Sequence, residues 1–377
     1  TKKTFSIMYK LLIALVSTTL LLVSCATQVV EHTDAGMRYA NLLTMQEEDS
    51  FTVARVADPW HKGRTMATYV MVADSLPLPH SLPKGTVVRT PLKRAIVTSS
   101  VHAALLLDLQ ATHCMAGVTD VDYIVSPSLK AFLQQHAEVQ NMGSMLTPDV
   151  ERFKASHTDG LLVSPFENDE NGALRSVGFT LIACADYMET SPLARAEWMR
   201  FYGRLFGVAQ RSDSLFAVVE KQYNDLKQKV AKHSGIHPTV FCDLKLGNAW
   251  YQPGGSSTMG KLITDAGGHY LWDDRKESGS LALDLESVYA RAHDADIWLI
   301  KYGQAHDMTY QQMQQDCGQY AKFKAWRQRK VWGCNTFKIP YFEEAPFHPD
   351  WLLHDLIQLM GTAKVSPAPK SYYTPLR

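Results

Sequence analysis

A chain of 377 residues is long enough to bury two hydrophobic cores, and its 46% apolar content is that of an ordinary globular protein. Its 38 Lys and Arg balance 38 Asp and Glu, which argues against nucleic acid or another polyanion as partner, since those demand a basic surplus.

Lys2, Lys3 and Lys10 precede an apolar run, Leu11 to Val23, that is short for a membrane span and ends in Leu22-Val23-Ser24-Cys25. This arrangement resembles a bacterial lipoprotein signal, so Cys25 is the expected lipidation site and residues 1–25 the expected leader. It places the rest of the chain in the periplasm or at the cell surface, held to a membrane through lipid. Residues 26–50 are polar and weakly patterned and predict a tether. Phe51–Asp58 and Ala67–Asp74 are β-rich and flank Pro59-Trp60-His61-Lys62-Gly63, which predicts a hairpin with a long turn.

From about residue 94 short apolar runs alternate with helical patterns. Arg94–Ser99 predicts a strand and Val101–Gln110 a helix capped by Ser99 or Ser100. Cys114–Thr119, Gly160–Ser164 and Phe179–Ala185 predict further buried strands, with helices opening at Ser126-Pro127 and Pro148. Residues 51–190 therefore predict an N-terminal α/β lobe with a parallel, doubly wound sheet.

Ser191-Pro192 is a strong helix start, and Trp198, Tyr202, Leu205, Phe206 and Ala209 follow at helical spacing, continued by Leu215, Val219, Tyr223, Leu226 and Val230. Residues 191–232 thus predict one long linking helix, with a possible kink near Gly207 and Ser212. Strands at Thr239–Leu244, Asp296–Tyr302 and Lys330–Cys334, and helices at Thr258–Ala266, Glu286–Ala292 and Pro349–Met360, predict a second α/β lobe over residues 233–377. The expected fold class is α/β, two Rossmann-like lobes joined by one long α-helix.

Six cysteines occur, none at CxxC or CxxH spacing, so a zinc site is not indicated. With Cys25 in the leader, Cys114, Cys184, Cys242, Cys317 and Cys334 remain; the last two are candidates for a disulfide that spacing alone does not decide.

The order lipobox, lobe, long helix, lobe resembles the helix-linked (class III) substrate-binding lipoproteins of ABC importers for iron-siderophores, haem or cobalamin. Several stretches look like members from Bacteroidetes: Pro91 to Val97 followed by Ser99-Ser100-Val101-His102-Ala103, then Val163 to Asn168, and Ala185 to Trp198. Gly254-Gly255-Ser256-Ser257 and Asp296 to Tyr302 add to this, and the resemblance covers roughly residues 50 to 361. It implies capture of an iron or cobalt chelate between the lobes and its delivery to a permease and ATPase complex. It also implies a monomer without an intrinsic cofactor, without catalytic residues, and without nucleic acid as partner.

In open α/β sheets ligands collect beyond the carboxyl ends of strands. Those ends supply Ser99, Ser100, Phe166, Glu167 and Tyr187 in the first lobe. Trp250, Tyr251, Tyr302 and Tyr341 come from the second, and Trp60 from the early turn. The set is rich in aromatics and poor in Arg, which suits a large, partly apolar chelate. His61, His102, His269 and His306 are candidate axial ligands to its metal, as are Tyr187, Tyr251 and Tyr302, but their pattern does not single out one. Family members dock on their permease through one exposed acidic residue per lobe; Glu151 and Glu286 stand at the matching helix starts, where a carboxylate also complements the helix dipole.

Gly255 to Leu262 has a GxxxxGK skeleton without the Ser/Thr that would hold magnesium, and reads better as a capped helix start able to take an anionic edge of a ligand. No GxSxG or metalloprotease motif occurs. Asp186 with Glu189, or Glu343 with Glu344, can be read as paired carboxylates for acid–base work, though acidic pairs in loops are common. The alternative from another class is an extracytoplasmic α/β hydrolase that processes chelates.

Overall fold

The computed structural model describes residues 36–377 apart from 168–171 and 234. The leader with Cys25, the first part of the expected tether and Asn168 lie outside the described residues.

The described chain opens on a four-stranded sheet, β1 (Leu43–Glu47), β2 (Thr52–Ala57), β3 (Thr65–Ala73) and β4 (Thr86–Thr90), in that order. The β2–β3 hairpin expected from composition is present, and β4 runs parallel to β3. Residues 43–47, expected as tether, are instead an edge strand. Leu43 and Met45 are buried on one side of exposed Thr44, an alternation too short to stand out in the sequence. The preceding residues are pinned as well. Backbone N–H groups of Arg38, Tyr39 and Ala40 donate to the Glu197 carboxylate, and those of Asn41 and Leu42 to Glu189.

The first lobe runs β5 (Ala95–Val97), α1 (Ser100–Asp108), β6 (Met115–Val118), α2 (Pro127–Gln135), β7 (Gln140–Asn141), α3 (Val150–Ala155), β8 (Gly160–Val163), α4 (Gly172–Ser176) and β9 (Leu181–Ala183). Its sheet has the order β7-β6-β5-β8-β9 and is parallel throughout. Strands covered on both faces are continuously apolar, which is why β5, β6 and β8 are buried at every position. Ser99, Ser126 and Asp149 cap α1, α2 and α3 by accepting from Val101, Leu129 and Arg152 N–H groups, each satisfying an otherwise unpaired donor.

The linking segment is three helices rather than one: α5 (Pro192–Glu197), α6 (Met199–Leu205) and α7 (Ala209–Ala231). The break between α6 and α7 falls at Gly207, whose φ of +70 is left-handed and ends α6. The chain then folds back so closely that a Cβ at Gly203 would lie 1.9 Å from Ser212 Oγ. Only α7, 23 residues and about 34 Å at 1.5 Å per residue, has the length of a lobe-spanning rod.

The second lobe follows as β10 (Thr239–Cys242), β11 (Lys245–Leu246), β12 (Ala249–Pro253), α8 (Thr258–Asp265), β13 (His269–Tyr270), β14 (Ser280–Leu283) and α9 (Leu285–Ala292). It continues with β15 (Ile297–Tyr302), α10 (Tyr310–Asp316), α11 (Lys324–Arg327), β16 (Val331–Asn335), α12 (Tyr341–Glu344), α13 (Pro349–Met360) and β17 (Thr374–Pro375). The main sheet has the order β13-β10-β15-β16-β17, parallel except for β17, with a smaller antiparallel sheet β11-β12-β14 beside it. Its core is an aromatic stack: Phe241 lies 4.7 Å from Trp298 and 5.3 Å from Phe323, ring centre to ring centre. Cys317 and Cys334 are separate thiols, so the possible disulfide between them is not formed.

Candidate ligand cleft

In both main sheets the strand order reverses around the first strand of the lobe, β5 in one and β10 in the other, and a hollow lies beyond the carboxyl ends at each reversal. The first-lobe hollow, about 350 Å³, is lined by Thr98 and Ser99 after β5, Asp120 after β6, Ser164 and Phe166 after β8, and Met145, Leu146 and Pro148. The second-lobe hollow, about 270 Å³, is walled by Asp243 after β10, Lys301 of β15, the α8 start at Ser257 to Met259, and Tyr341 and Phe342 of α12. Arg195 of α5 in the linking segment closes its side. Asp120 and Asp243 are both left-handed, with φ of 53 and 57, a conformation that Asp tolerates better than most residues. Each turns the chain sharply at a strand end.

The two hollows flank a polar contact between the lobes. The buried Glu343 carboxylate of α12 accepts from the backbone N–H of Val125 at 2.8 Å and of Ser126 at 2.6 Å, and the Ser100 side chain is near enough to help hold its charge. A second-lobe carboxylate is therefore held against the amino ends of α1 and α2. Burial pushes the Glu343 carboxyl above its usual range, and those N–H groups oppose the rise. His348 adds a second bridge, 3.1 Å from Asp108, with Trp351 stacked on its ring at 3.8 Å.

Behind Arg195 sits a buried network. Asp186 accepts from Tyr202 at 2.9 Å, lies 2.8 Å from His102 Nε2, and takes Arg195 Nε at 3.1 Å. Burial alone would raise the Asp186 carboxyl, but His102, Arg195 and Tyr202 together hold it down at about 2. Lys301 is fixed in the same manner: Asp243 holds its ammonium at 2.8 and 3.1 Å. Burial would lower that ammonium, and the Asp243 charge more than reverses the effect, so Lys301 stays protonated.

Of the residues expected to bind ligand, Ser99 and Phe166 line the first hollow and Tyr341 the second. Ser100 contributes to the lobe contact. Glu167 is exposed next to Phe166. Tyr187 is half-buried and donates its hydroxyl to the Pro165 carbonyl at the hollow's edge. Tyr251 is exposed on β12, outside both hollows. The others go elsewhere. Trp250 is fully buried, donating to the Cys242 carbonyl at 2.9 Å and packing on Trp298, so it is a core residue. Tyr302 accepts from Met308 N–H and backs onto Gly333. Trp60 stays in the β2–β3 turn, its N–H bonded to Asp58. Among the histidines, His102 is taken by Asp186 and His61 by Asp58. Among the described residues no group of three or more His, Cys, Asp or Glu converges as a metal site.

The carboxylates suited to acid–base work are all engaged. Glu189 accepts from Trp198 Nε1 and two backbone N–H groups, and Glu344 from Lys370 and Tyr372. Glu151 and Glu286 are exposed in the first turns of α3 and α9, with Glu151 3.1 Å from Lys154. Sequence reasoning missed Arg195, Lys301 and Asp243. A lysine at the end of the apolar strand Ile297–Tyr302 was the available signal, because a buried cation needs a partner.

Residues 96–336 match the model of the periplasmic binding protein family, and the chain belongs to that family. A lipoprotein of Methanocaldococcus jannaschii, itself uncharacterized, is 25% identical over 285 residues, which are 73% of this chain and 66% of the relative. The chain therefore spans just under two thirds of that relative's length. Among solved structures, an ABC-type Fe3+-hydroxamate transport protein from Saccharomonospora viridis superposes with a TM-score of 0.57 at 17% identity, covering 72% of this chain and 94% of that one. A periplasmic haem-binding protein from Pseudomonas aeruginosa gives 0.58 at 14% identity, covering 76% and 98%. At such identities the likeness is one of fold, the two-lobe class III fold of these binding proteins.

Proposed function

We propose that the chain is the substrate-binding component of an ABC importer, capturing an iron chelate (siderophore or haem) or a cobalamin between its lobes and handing it to the permease. The observation that carries this reading is the pair of hollows at equivalent strand ends of the two lobes, on either side of the Glu343 contact. One ligand bridging both would bury its faces against Phe166, Tyr341 and Phe342, and the rim keeps Phe166 and Phe342 more than half exposed, ready for such a partner. The family match and the haem and hydroxamate ligands of the fold relatives support the chelate class. Lipid attachment at Cys25 and docking through Glu151 and Glu286 complete the reading.

The test is direct titration of purified protein with haem, cobalamin and a panel of ferric siderophores, read by ligand absorbance and native mass spectrometry. Tryptophan emission is a poor reporter, because Trp250 is sealed in the core and Trp60 lines neither hollow. Saturable one-to-one binding of a chelate supports the proposal, and failure of the whole panel together with no chelate co-purifying from the native host refutes it.

A further inference from the structure

The second-lobe hollow carries more positive charge than the aromatic set predicted. Arg195 is anchored by its Nε alone, to Asp186 Oδ2, while the other Asp186 oxygen is occupied by His102 and Tyr202. Among the described residues the two terminal nitrogens of Arg195 have no hydrogen-bond partner, and the side chain is 21% exposed at the hollow's wall. Lys301 spends two of its three protons on Asp243, leaving one donor. Among the described residues Asp243 is the only carboxylate in the lining, against two cations, and the amino end of α8 borders the same space. A guanidinium held through its Nε at the wall of a cavity, with both terminal nitrogens left over, is preorganised for a carboxylate. Apolar groups fill the remaining wall: Met259, Leu262, Tyr341, Phe342, Pro346 and Leu352.

The geometry points to a ligand that presents a carboxylate to Arg195 and Lys301 and an apolar face to the rest of the second-lobe hollow. This rests on the chelate-binding reading and narrows it: the physiological cargo is an anionic amphiphilic chelate rather than a neutral one. The Asp186 network then serves as the support that aims Arg195.

Matched chelates that differ only in a carboxylate test this. Haem is compared with its dimethyl ester, the N-succinyl with the N-acetyl derivative of a ferric trihydroxamate, and a cobalamin monocarboxylate with cobalamin. Within the scaffold that binds, the carboxylate form should bind roughly tenfold tighter or better at low salt, the scale of one charge-assisted hydrogen bond. That advantage should shrink as salt is raised. In Arg195→Gln the ratio of the two affinities should fall toward one. The wild-type ratio needs no variant and decides the point even if Arg195→Gln fails to fold. Equal binding of both forms by the wild type overturns the anion site and leaves the chelate reading standing, whereas no binding by any of the six, together with no chelate co-purifying from the native host, overturns both. An undiminished ratio in folded Arg195→Gln removes Arg195 from the site.

Discussion

Replacing Asp186 with Asn tests whether the buried network is an electrostatic support or only well-packed polar atoms. The carboxyl is fully buried, and burial works against its charge, yet His102, Arg195 and Tyr202 lower it from 3.8 to about 2. At about 1.4 kcal/mol per pKa unit, that difference corresponds to about 2–3 kcal/mol of stability at neutral pH. Asn also leaves Arg195 without its carboxylate. Breaking a buried pair costs roughly 3–5 kcal/mol, but Arg195 borders a cavity and regains some solvent, so the expected loss is about 2–4 kcal/mol. The sign with pH follows from the direction of the shift. The folded value lies below the unfolded one, so the stabilisation is complete above about 3.8 and is lost as pH falls through about 2. Urea unfolding of both proteins should show a constant gap from neutral pH to about 5, narrowing between about 4 and 2. Asp296, also held at about 2 by Lys324 and Thr239 against the opposing effect of burial, titrates alike in both proteins and cancels in the difference. A gap below about 1 kcal/mol at neutral pH, or one that stays flat down to pH 2, would refute the electrostatic account.

Three other outcomes are expected. Glu343→Ala leaves the Val125 and Ser126 N–H groups without their charged acceptor and should cost about 2–4 kcal/mol in urea unfolding; a loss under about 1 kcal/mol would mean that the lobes are not held there. The double variant Glu151→Ala, Glu286→Ala should retain chelate affinity while lowering uptake in a strain lacking the native protein, because exposed rim charges act on orientation and on-rate; full uptake would remove both residues from docking. Cys25→Ala should shift the protein from the membrane fraction to a soluble or unprocessed form, and unchanged acylation and fractionation would sink the lipid-anchor assignment.

The lobes were readable because parallel strands covered on both faces leave uninterrupted apolar runs, as Gly160–Val163 and Ile297–Ile300 do, and because helix starts carry local chemistry. Ser126-Pro127, Ser191-Pro192 and Ser257 each cap where the sequence places them. The break in the linking segment was harder to read. Gly207 marked a kink, but the close approach of α7 to α6 also needs Gly203 to face Ser212, a contact between residues nine apart that no helical period reveals. β1 was missed for want of length, since two buried residues do not establish an alternation.

Site residues divided along a different line. Positions at strand ends are legible from topology, which is why Ser99, Phe166 and Tyr341 line hollows. An aromatic at a strand end, however, is equally suited to core and to cleft, and burial alone separates Trp250 from Tyr341. The charged residues were hidden for a converse reason. Arg195, Lys301 and Asp243 lie in separate segments, and each is tolerated because a partner outside its own element neutralises it: Asp186 nine residues before Arg195, and Asp243 fifty-eight before Lys301. The sequence shows the aromatics that a chelate's faces would meet. Under the proposed reading, the charges that would choose among chelates become visible only when the fold brings those partners together, because local pattern leaves them out.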